Sequence, residues 1–519
     1  MRTASATVSF EIPARSGEVL CVPPASQLLV VAEANRRALQ AASTPVGGVS
    51  VGNIRAEMRR AVLAATSAYG EELRLPPLSE ADPRPLVGTG HQPVLFHPGI
   101  WVKQLLGARL ASAAAVVNMA VDCDAAAEVG ADAPHLDGGL RIVRETLRRT
   151  DPEVPYEATA APDPGEWAAF LERLDAHLRT LPHRLTRETF AEFRARTADL
   201  QAREIGSFLT LARRRHEGEA AYAELPVSRL SDLRGFRLFV LHLITEAERF
   251  SAVFNARLAA YRELNNIRTA GQPFPGLGRD GPRFEVPFWI IHRGCRRRMY
   301  VDRFGGAYRL WAEAQQVAAI AGRDPDELAG LAVRPRALTL TLFTRLCVVD
   351  LFIHGVGGGR YDRMTDEVIR EFFGLEPPRY AVVSATLHLP LGELDPDLER
   401  AVLQRRHLEL LHNPERALGD PTEEQRRWIE EKWQWIRRLD EGHLTRRERR
   451  EATRRIRTIN QHLGRALAEE RRRIEERLAA LAGVGRAFAA ATYRGYPFCF
   501  FPRPEVEALV DRMFAEPQA

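Results

Sequence analysis

The sequence predicts an α/β fold: a parallel-sheet core interrupted by helical insertions and followed by a long helical hairpin. Three observations carry this prediction. First, "LVGTG" (residues 86–90), a loop, a helix-like segment from about residue 99 to 114 and the apolar run "AAAVVNMAVDCD" follow one another. Strand, helix, strand in that order is the signature of a parallel layer. Second, the pattern returns in "VVDLFIHGVGGGRYDRMTDE", an apolar strand, a glycine loop and a helix. Third, from about residue 391 to 485 the composition turns charged, and Ile456, Ile459, Leu463, Leu467, Ile474, Leu478 and Leu481 step by three, four or seven. Ile429, Trp433, Ile436 and Leu439 do likewise, so two apolar stripes joined at "DEGHLTRR" predict an antiparallel coiled-coil hairpin.

Along the chain, residues 1–85 read as one or two strands ("TVSFEI", "QLLVVA") and then helix around 51–73. "APHLDGGLRIVRETL" reads as an edge hairpin, and "ATAAPDPG" as a linker. Long apolar-periodic segments make 165–265 helical, while the glycine, proline and β-branched residues after 271 mark a return to the sheet, with a hairpin at 292–298. The resulting division is a first core part at 1–160, a helical connecting insertion at 161–265, a second core part at 266–390, the hairpin at 391–485 and a segment at 486–519 that rejoins the core.

Composition narrows the function classes. The 519 residues are 45% hydrophobic and 27% charged, ordinary for a globular protein. No run approaches eighteen uninterrupted apolar residues, because Arg345 and Asp350 break the best candidate, so no membrane partner is expected. The start lacks the apolar stretch of a signal peptide, and the five cysteines form no CxxC pair; together these point to a reducing cytoplasm and away from structural zinc. A net charge of +5 does not imply a nucleic-acid partner in a chain of this size. Nearly all the basic residues are arginine, the lysines being Lys103 and Lys432. Lys103, inside the first strand-to-helix junction, suggests a place where a compact ammonium is wanted.

That junction, "LVGTGHQPVLFHPGIWVKQLLGARLA", has the residues of an anion site. A loop that leaves a strand and enters a helix N-terminus offers unpaired N–H groups and a favourable dipole. Gly88, Gly90 and Gly99 would allow close approach, His91 and His97 would donate to phosphate oxygens, and Lys103 would add charge. His97-Pro98-Gly99 resembles the HxGH signature of class I synthetases and nucleotidyltransferases, with Ile100 in place of the second histidine. The bland alternative is a glycine-rich turn with incidental histidines. Asp122 and Asp124 end the next strand, the edge that faces the ligand crevice in open α/β sheets. Gly357, Gly358 and Gly359, followed by Arg360, Tyr361 and Asp362, predict a second ligand-binding loop. It lacks a GK[ST] ending, so it is not a Walker loop.

These blocks, in this order, resemble the cysteine-adding enzymes of bacillithiol biosynthesis. "TGHQPVLFHPGIWVKQLLGARLA" resembles that family's TGQQ-x-GL(L/F)-x-GP motif and lysine-bearing helix, and "VDCDAAAEV" its EDHDxxE segment. "LPVSRLSDL", "PFWIIHRGCRRRMYV", the block ending "GLEPP" and "FCFFPRPEVEALV" follow its middle and closing regions. The resemblance covers most of residues 80–519. It implies a Rossmann-like core akin to class I synthetases, a coiled-coil domain that makes a homodimer, and ATP, with Mg2+ beside it, as cofactor. The implied reaction is ligation of an amino acid, cysteine in the family, to an amine acceptor, glucosaminyl-malate. By position, Gly90, His91, Gln92 and Lys103 fall on the first motif, Asp122 and Asp124 on the aspartate pair, and Gly357 and Gly358 on the glycine loop.

The departures lie at the pocket. His91 stands where the family has Gln, the loop before Lys103 is about two residues shorter, Cys123 replaces a histidine, and the closing Gln-Glu-Arg is missing. They imply an altered substrate. In the expected mechanism the loop donors and Lys103 stabilise phosphate charge, Asp122 or Asp124 positions an ammonium, and His91 or His97 accepts its proton. Two other readings stand beside it. One is a catalytically degenerate scaffold that dimerises through its coiled coil, with the arginine-rich "TRRERREATRRIR" as either a solvated face or a contact for an acidic partner. The other is a metal hydrolase using Asp122, Asp124 and histidines, which no HxH or HxxxH spacing supports.

Overall fold

The structure is a computed structural model and describes residues 10–75, 78–79, 82–265, 267, 269, 274–391, 397–440 and 446–515. The chain divides into two compact units, one comprising 1–133, 143–389 and 494–519, the other 134–142 and 390–493.

The first unit is built on a six-stranded sheet of β1 (Val19–Val22), β2 (Leu86–His91), β3 (Ala115–Ala120), β4 (Ala223–Pro226), β5 (Leu351–His354) and β6 (Ala381–Ala385). Their spatial order is β1–β6–β5–β2–β3–β4. β1 is antiparallel to β6, and the remaining neighbours are parallel. Numbered along the chain, the five parallel strands therefore run 3-2-1-4-5, and the order reverses between β2 and β5. β3 is apolar almost throughout and buried at every position, as a strand covered on both faces requires. Asp350 pins the reversal: its Oδ2 accepts from the Leu86 N–H at 2.7 Å, while Oδ1 pairs with the buried Arg55 of the helix at 51–73.

Helices α1 (Leu28–Gln40), α2 (Val51–Leu73), α3 (Pro98–Leu110) and α4 (Val356–Val368) belong to this unit. "QLLVVA" is the start of α1, not a strand. Its buried residues Leu28, Val31, Ala32, Asn35 and Leu39 recur at helical spacing, which outweighs a local pair of valines. Of "TVSFEI", residues 7–9 lie outside those described and Phe10–Ile12 form no strand; the N-terminal strand is Val19–Val22. The predicted hairpin near 133–147 forms a separate two-stranded sheet, from Glu128–Leu136 and Leu140–Arg149, rather than an edge of the main one.

The segment 161–265 is mostly helical, yet it also carries β4, which completes the parallel sheet beside β3. Residues 279–335 form a second, antiparallel sheet ordered Gln315–Ile320, Ala307–Ala312, Cys295–Phe304, Arg283–His292, Val333–Pro335. The hairpin turn falls at Arg293-Gly294. Pro287 interrupts the strand Arg283–His292, whose register shifts between Glu285 and Trp289. A proline cannot donate to the ladder, so a bulge there is expected.

In the second unit, α5 (Asp397–His412), α6 (Glu423–Asp440), α7 (Arg446–Gly464) and α8 (Ala468–Ala491) pack pairwise, α6 on α7 and α5 on α8. Arg406 of α5 donates to Glu470 of α8 at 2.9 Å, and Trp428 of α6 stacks on His462 of α7 at 5.1 Å. Lys432, one of the two lysines, is buried and donates to the His412 carbonyl and to Glu415, both at 2.7 Å. The joint at "DEGHLTRR" lies largely outside the described residues, as does the side chain of Leu481.

Candidate ligand site at the strand-order reversal

A cavity of about 720 Å³ opens where β2 and β5 diverge, at the carboxyl ends of the parallel strands. That is where open α/β sheets bind ligands. Gly90 and His91 end β2, Val121, Cys123 and Asp124 follow β3, His354 ends β5 and Ser384 lies near the end of β6. The other wall comes from the second sheet and the turn after it, including Trp289, Arg296, Arg298 and Arg336.

The first junction builds one corner. His97 is the N-cap of α3; its Nδ1 accepts from the Gly99 N–H at 3.1 Å. An accepting Nδ1 carries no proton, so the ring presents Nε2–H. Burial and the nearby Arg494 push its pKa down to about 3, so the capping form persists at neutral pH. Lys103, one turn into α3, is buried and donates to the Gly90 carbonyl at 2.9 Å. Among the described residues no carboxylate pairs with it, and burial lowers its pKa to about 8. Arg494 reaches the same corner, donating to the Ala385 carbonyl at 2.8 Å and to Ser384 Oγ at 3.2 Å. It too meets no carboxylate among the described residues, and desolvation lowers its pKa.

The glycines divide by cause. A Cβ on Gly99 would overlap the Ala385 carbonyl and stand 2.5 Å from Arg494, so this glycine makes room for the guanidinium at the helix start. Gly88 lies within β2 away from the cavity, where a Cβ would stand 2.7 Å from Val349. Gly90 lines the cavity but is also pressed by the Met119 carbonyl, 3.0 Å from its would-be Cβ.

The second junction is not a loop. Gly355 caps α4, and Gly357, Gly358 and Gly359 form its first turn. Gly355, Gly357 and Gly358 line the cavity, and a Cβ on Gly357 would meet nothing within 4 Å. Gly359 faces away, with no room beside Val382. The three polar residues that follow do not line the cavity. Arg360 donates to the Phe10 carbonyl, and Tyr361 packs near Tyr261 and Phe274. Asp362 is buried against Arg345 at 2.6 Å and His354 at 2.9 Å. Burial alone would raise its pKa, yet those two groups hold the carboxyl well below the ordinary range.

The aspartates also part company. Asp122 does not line the cavity; it accepts from the Ser228 N–H at 2.9 Å and Ser228 Oγ at 2.5 Å, fixing the turn after β4. Burial, with Glu157 nearby, lifts its pKa to about 7. Asp124 does line the cavity and is held there by Arg296 Nη1 at 2.6 Å and Gln92 Nε2 at 2.9 Å. His91 Nδ1 sits 3.0 Å from the Gln92 carbonyl, and burial with the Lys103 charge lowers its pKa to about 4.

Sequence reasoning missed Arg296, Arg298, Arg336 and Arg494, because in a chain whose basic residues are nearly all arginine none of them stands out. Arg296 and Arg336 each lie 5.0 Å from the Trp289 ring, held by Asp124 and by Glu285 at 2.6 Å. Among the described residues five cations and one carboxylate line the cavity. Among the described residues no group of three or more His, Cys, Asp or Glu stands together as a metal site, and none of the helices is long and apolar enough to cross a membrane. No protein-family model matches the sequence, and a search of curated proteins returns no match.

Proposed function

We propose that this protein is an ATP-dependent carbon–nitrogen ligase with a Rossmann-like core of the class I synthetase type, joining an amino acid to an amine acceptor. The observation that carries the reading is a pair of cations, the buried Lys103 and the half-buried Arg494, which meet no carboxylate among the described residues and stand at the start of the helix after the first parallel strand. Burying a charge without a counter-ion is costly, and a bound anion at that point recovers the cost. His97 supports the same reading. It stands in the first place of the HxGH-like stretch and offers Nε2–H toward phosphate.

In the proposed chemistry Lys103, Arg494, His97 and the N–H groups of Gly355–Gly358 hold the nucleotide phosphates as charge builds on them during carboxylate activation. The family resemblance supplies the substrates, cysteine and glucosaminyl-malate. The changes at His91, Cys123 and the C-terminal segment argue for a different member of the same substrate classes. The helical hairpin is read as an antiparallel coiled coil through which two copies pair. A scaffold would gain nothing from cations left unpaired around a cavity of this size, and that favours the enzyme.

The test is ATP–pyrophosphate exchange, with ADP release followed in parallel, for each of the twenty amino acids and with glucosaminyl-malate present. One amino acid, or a small set, is expected to stimulate turnover. Silence with all twenty overturns the ligase reading.

A further inference from the structure

Asp124, the one carboxylate that lines the cavity among the described residues, is already engaged at both oxygens. Oδ1 accepts from Arg296 at 2.6 Å and from the Ala125 N–H at 2.9 Å, and Oδ2 accepts from Gln92 Nε2 at 2.9 Å. A carboxylate only accepts, so the amide of Gln92 must turn its NH2 toward Asp124 and leave Oε1 as a bare acceptor. No protein donor meets that oxygen among the described contacts. The neighbouring ring is set by the same logic. His91 Nδ1 faces the Gln92 carbonyl, which also only accepts, so Nδ1 carries the proton and Nε2 keeps its lone pair.

Two neutral acceptors thus stand on consecutive residues at the end of β2. Around them are Lys103, His97 and Arg494 on one side and Arg296, Arg298 and Arg336 on the other. An ammonium entering here would meet like charge and, among the described residues, no free carboxylate. An uncharged amine would find acceptors for its N–H bonds.

We propose that His91 Nε2 and Gln92 Oε1 form the amine subsite and take the attacking amine in its uncharged form, with Asp124 a positioning residue that fixes the Gln92 amide. The proposal rests on the ligase reading. In the transfer step the amine lone pair attacks the carbonyl carbon of the acyl adenylate and a C–N bond forms. The C–O bond to the phosphate breaks, AMP departs with its electron pair, and the nitrogen's proton passes to His91 Nε2 and on to solvent.

The test uses the full chain with its stimulating amino acid, ATP and hydrazine as the amine. Exchange measures activation, and hydrazide formation measures transfer. For the wild type, KM in total hydrazine should rise about tenfold for each unit that the pH is lowered beneath the probe's own pKa, because only the neutral form binds. Gln92→Glu, which supplies a carboxylate for the ammonium, should flatten that dependence. Asp124→Asn should raise the hydrazine KM about tenfold more than it changes exchange, with an unfolding midpoint measured alongside to separate misfolding. A wild-type KM that ignores pH, or an Asp124→Asn effect no larger on transfer than on exchange, overturns the subsite. If the wild type shows neither exchange nor ADP release, the ligase reading fails instead. The subsite is then judged by 15N NMR of the His91 ring: a bare Nε2 supports the acceptor pair, and a protonated Nε2 overturns it.

Discussion

The two strand-to-helix junctions, residues 90–103 and 354–362, look alike as sequence and do different work. Both leave a parallel strand, pass glycines and start a helix beside the cavity. The first supplies side chains: His97 caps α3 and Lys103 stands buried one turn on. The second brings chiefly backbone, with Gly355, Gly357 and Gly358 lining the cavity beside His354 and Val356, while Asp362 turns back into the protein against Arg345 and His354. The lesson is that polar residues after a glycine run need not join the ligand site. Their helical position decides which way they face.

The sharpest way to break this contrast is at Asp362. Asp362→Asn should lower unfolding stability by about 2–3 kcal/mol, since it removes one of the two carboxylates that neutralise the buried Arg345 and leaves Asp366 alone with it. Chemical denaturation measures this, and a loss below about 1 kcal/mol would make Asp362 available for a ligand role after all. The pH sign follows. A carboxyl held below its ordinary pKa stabilises the fold above that ordinary range, and the contribution fades as pH drops, so the variant should be less acid-sensitive than the wild type.

At the first junction the expected loss is in binding. Lys103→Met should weaken ATP binding about 100-fold by calorimetry and leave stability equal or higher, because the substitution removes a desolvated charge. An ammonium with a pKa near 8 attracts phosphate only while protonated, so wild-type affinity should fall as pH rises past about 8. The variant should show no such step.

The smallest effects separate the glycines of the second junction. Gly359→Ala, with no room beside Val382, should cost about 1–3 kcal/mol of stability. Gly357→Ala, which faces open space in the first turn of a helix, should gain about 0.5–1 kcal/mol and still weaken nucleotide binding. Equal stabilities for the two would erase the distinction between a packing glycine and a cavity glycine.

Much of the fold was legible. The apolar strands 86–91, 115–120 and 351–354, the helix from 98 and the charged helices after 397 follow from periodicity, which reports burial directly. The first strand is not legible, because four residues of "VLCV" carry too little pattern to compete with the valines of α1. The site was half legible. His91, Gln92, His97, Lys103, Asp124, Gly90, Gly99, Gly357 and Gly358 line the cavity, and Gly88, Asp122, Gly359, Arg360, Tyr361 and Asp362 do not.

The sequence by itself determined the elements and the chemistry of the first junction, because helix capping, glycine placement and a lone lysine are local properties carried within a dozen residues. Only the tertiary structure decided which arginines surround that junction, since Arg296, Arg336 and Arg494 arrive from segments some 200 to 400 residues away. It also decided which of two neighbouring aspartates meets the cavity. Side chains beyond a strand's end follow the turn that receives them, and here Ser228 draws Asp122 inward while Arg296 and Gln92 hold Asp124 at the cavity wall.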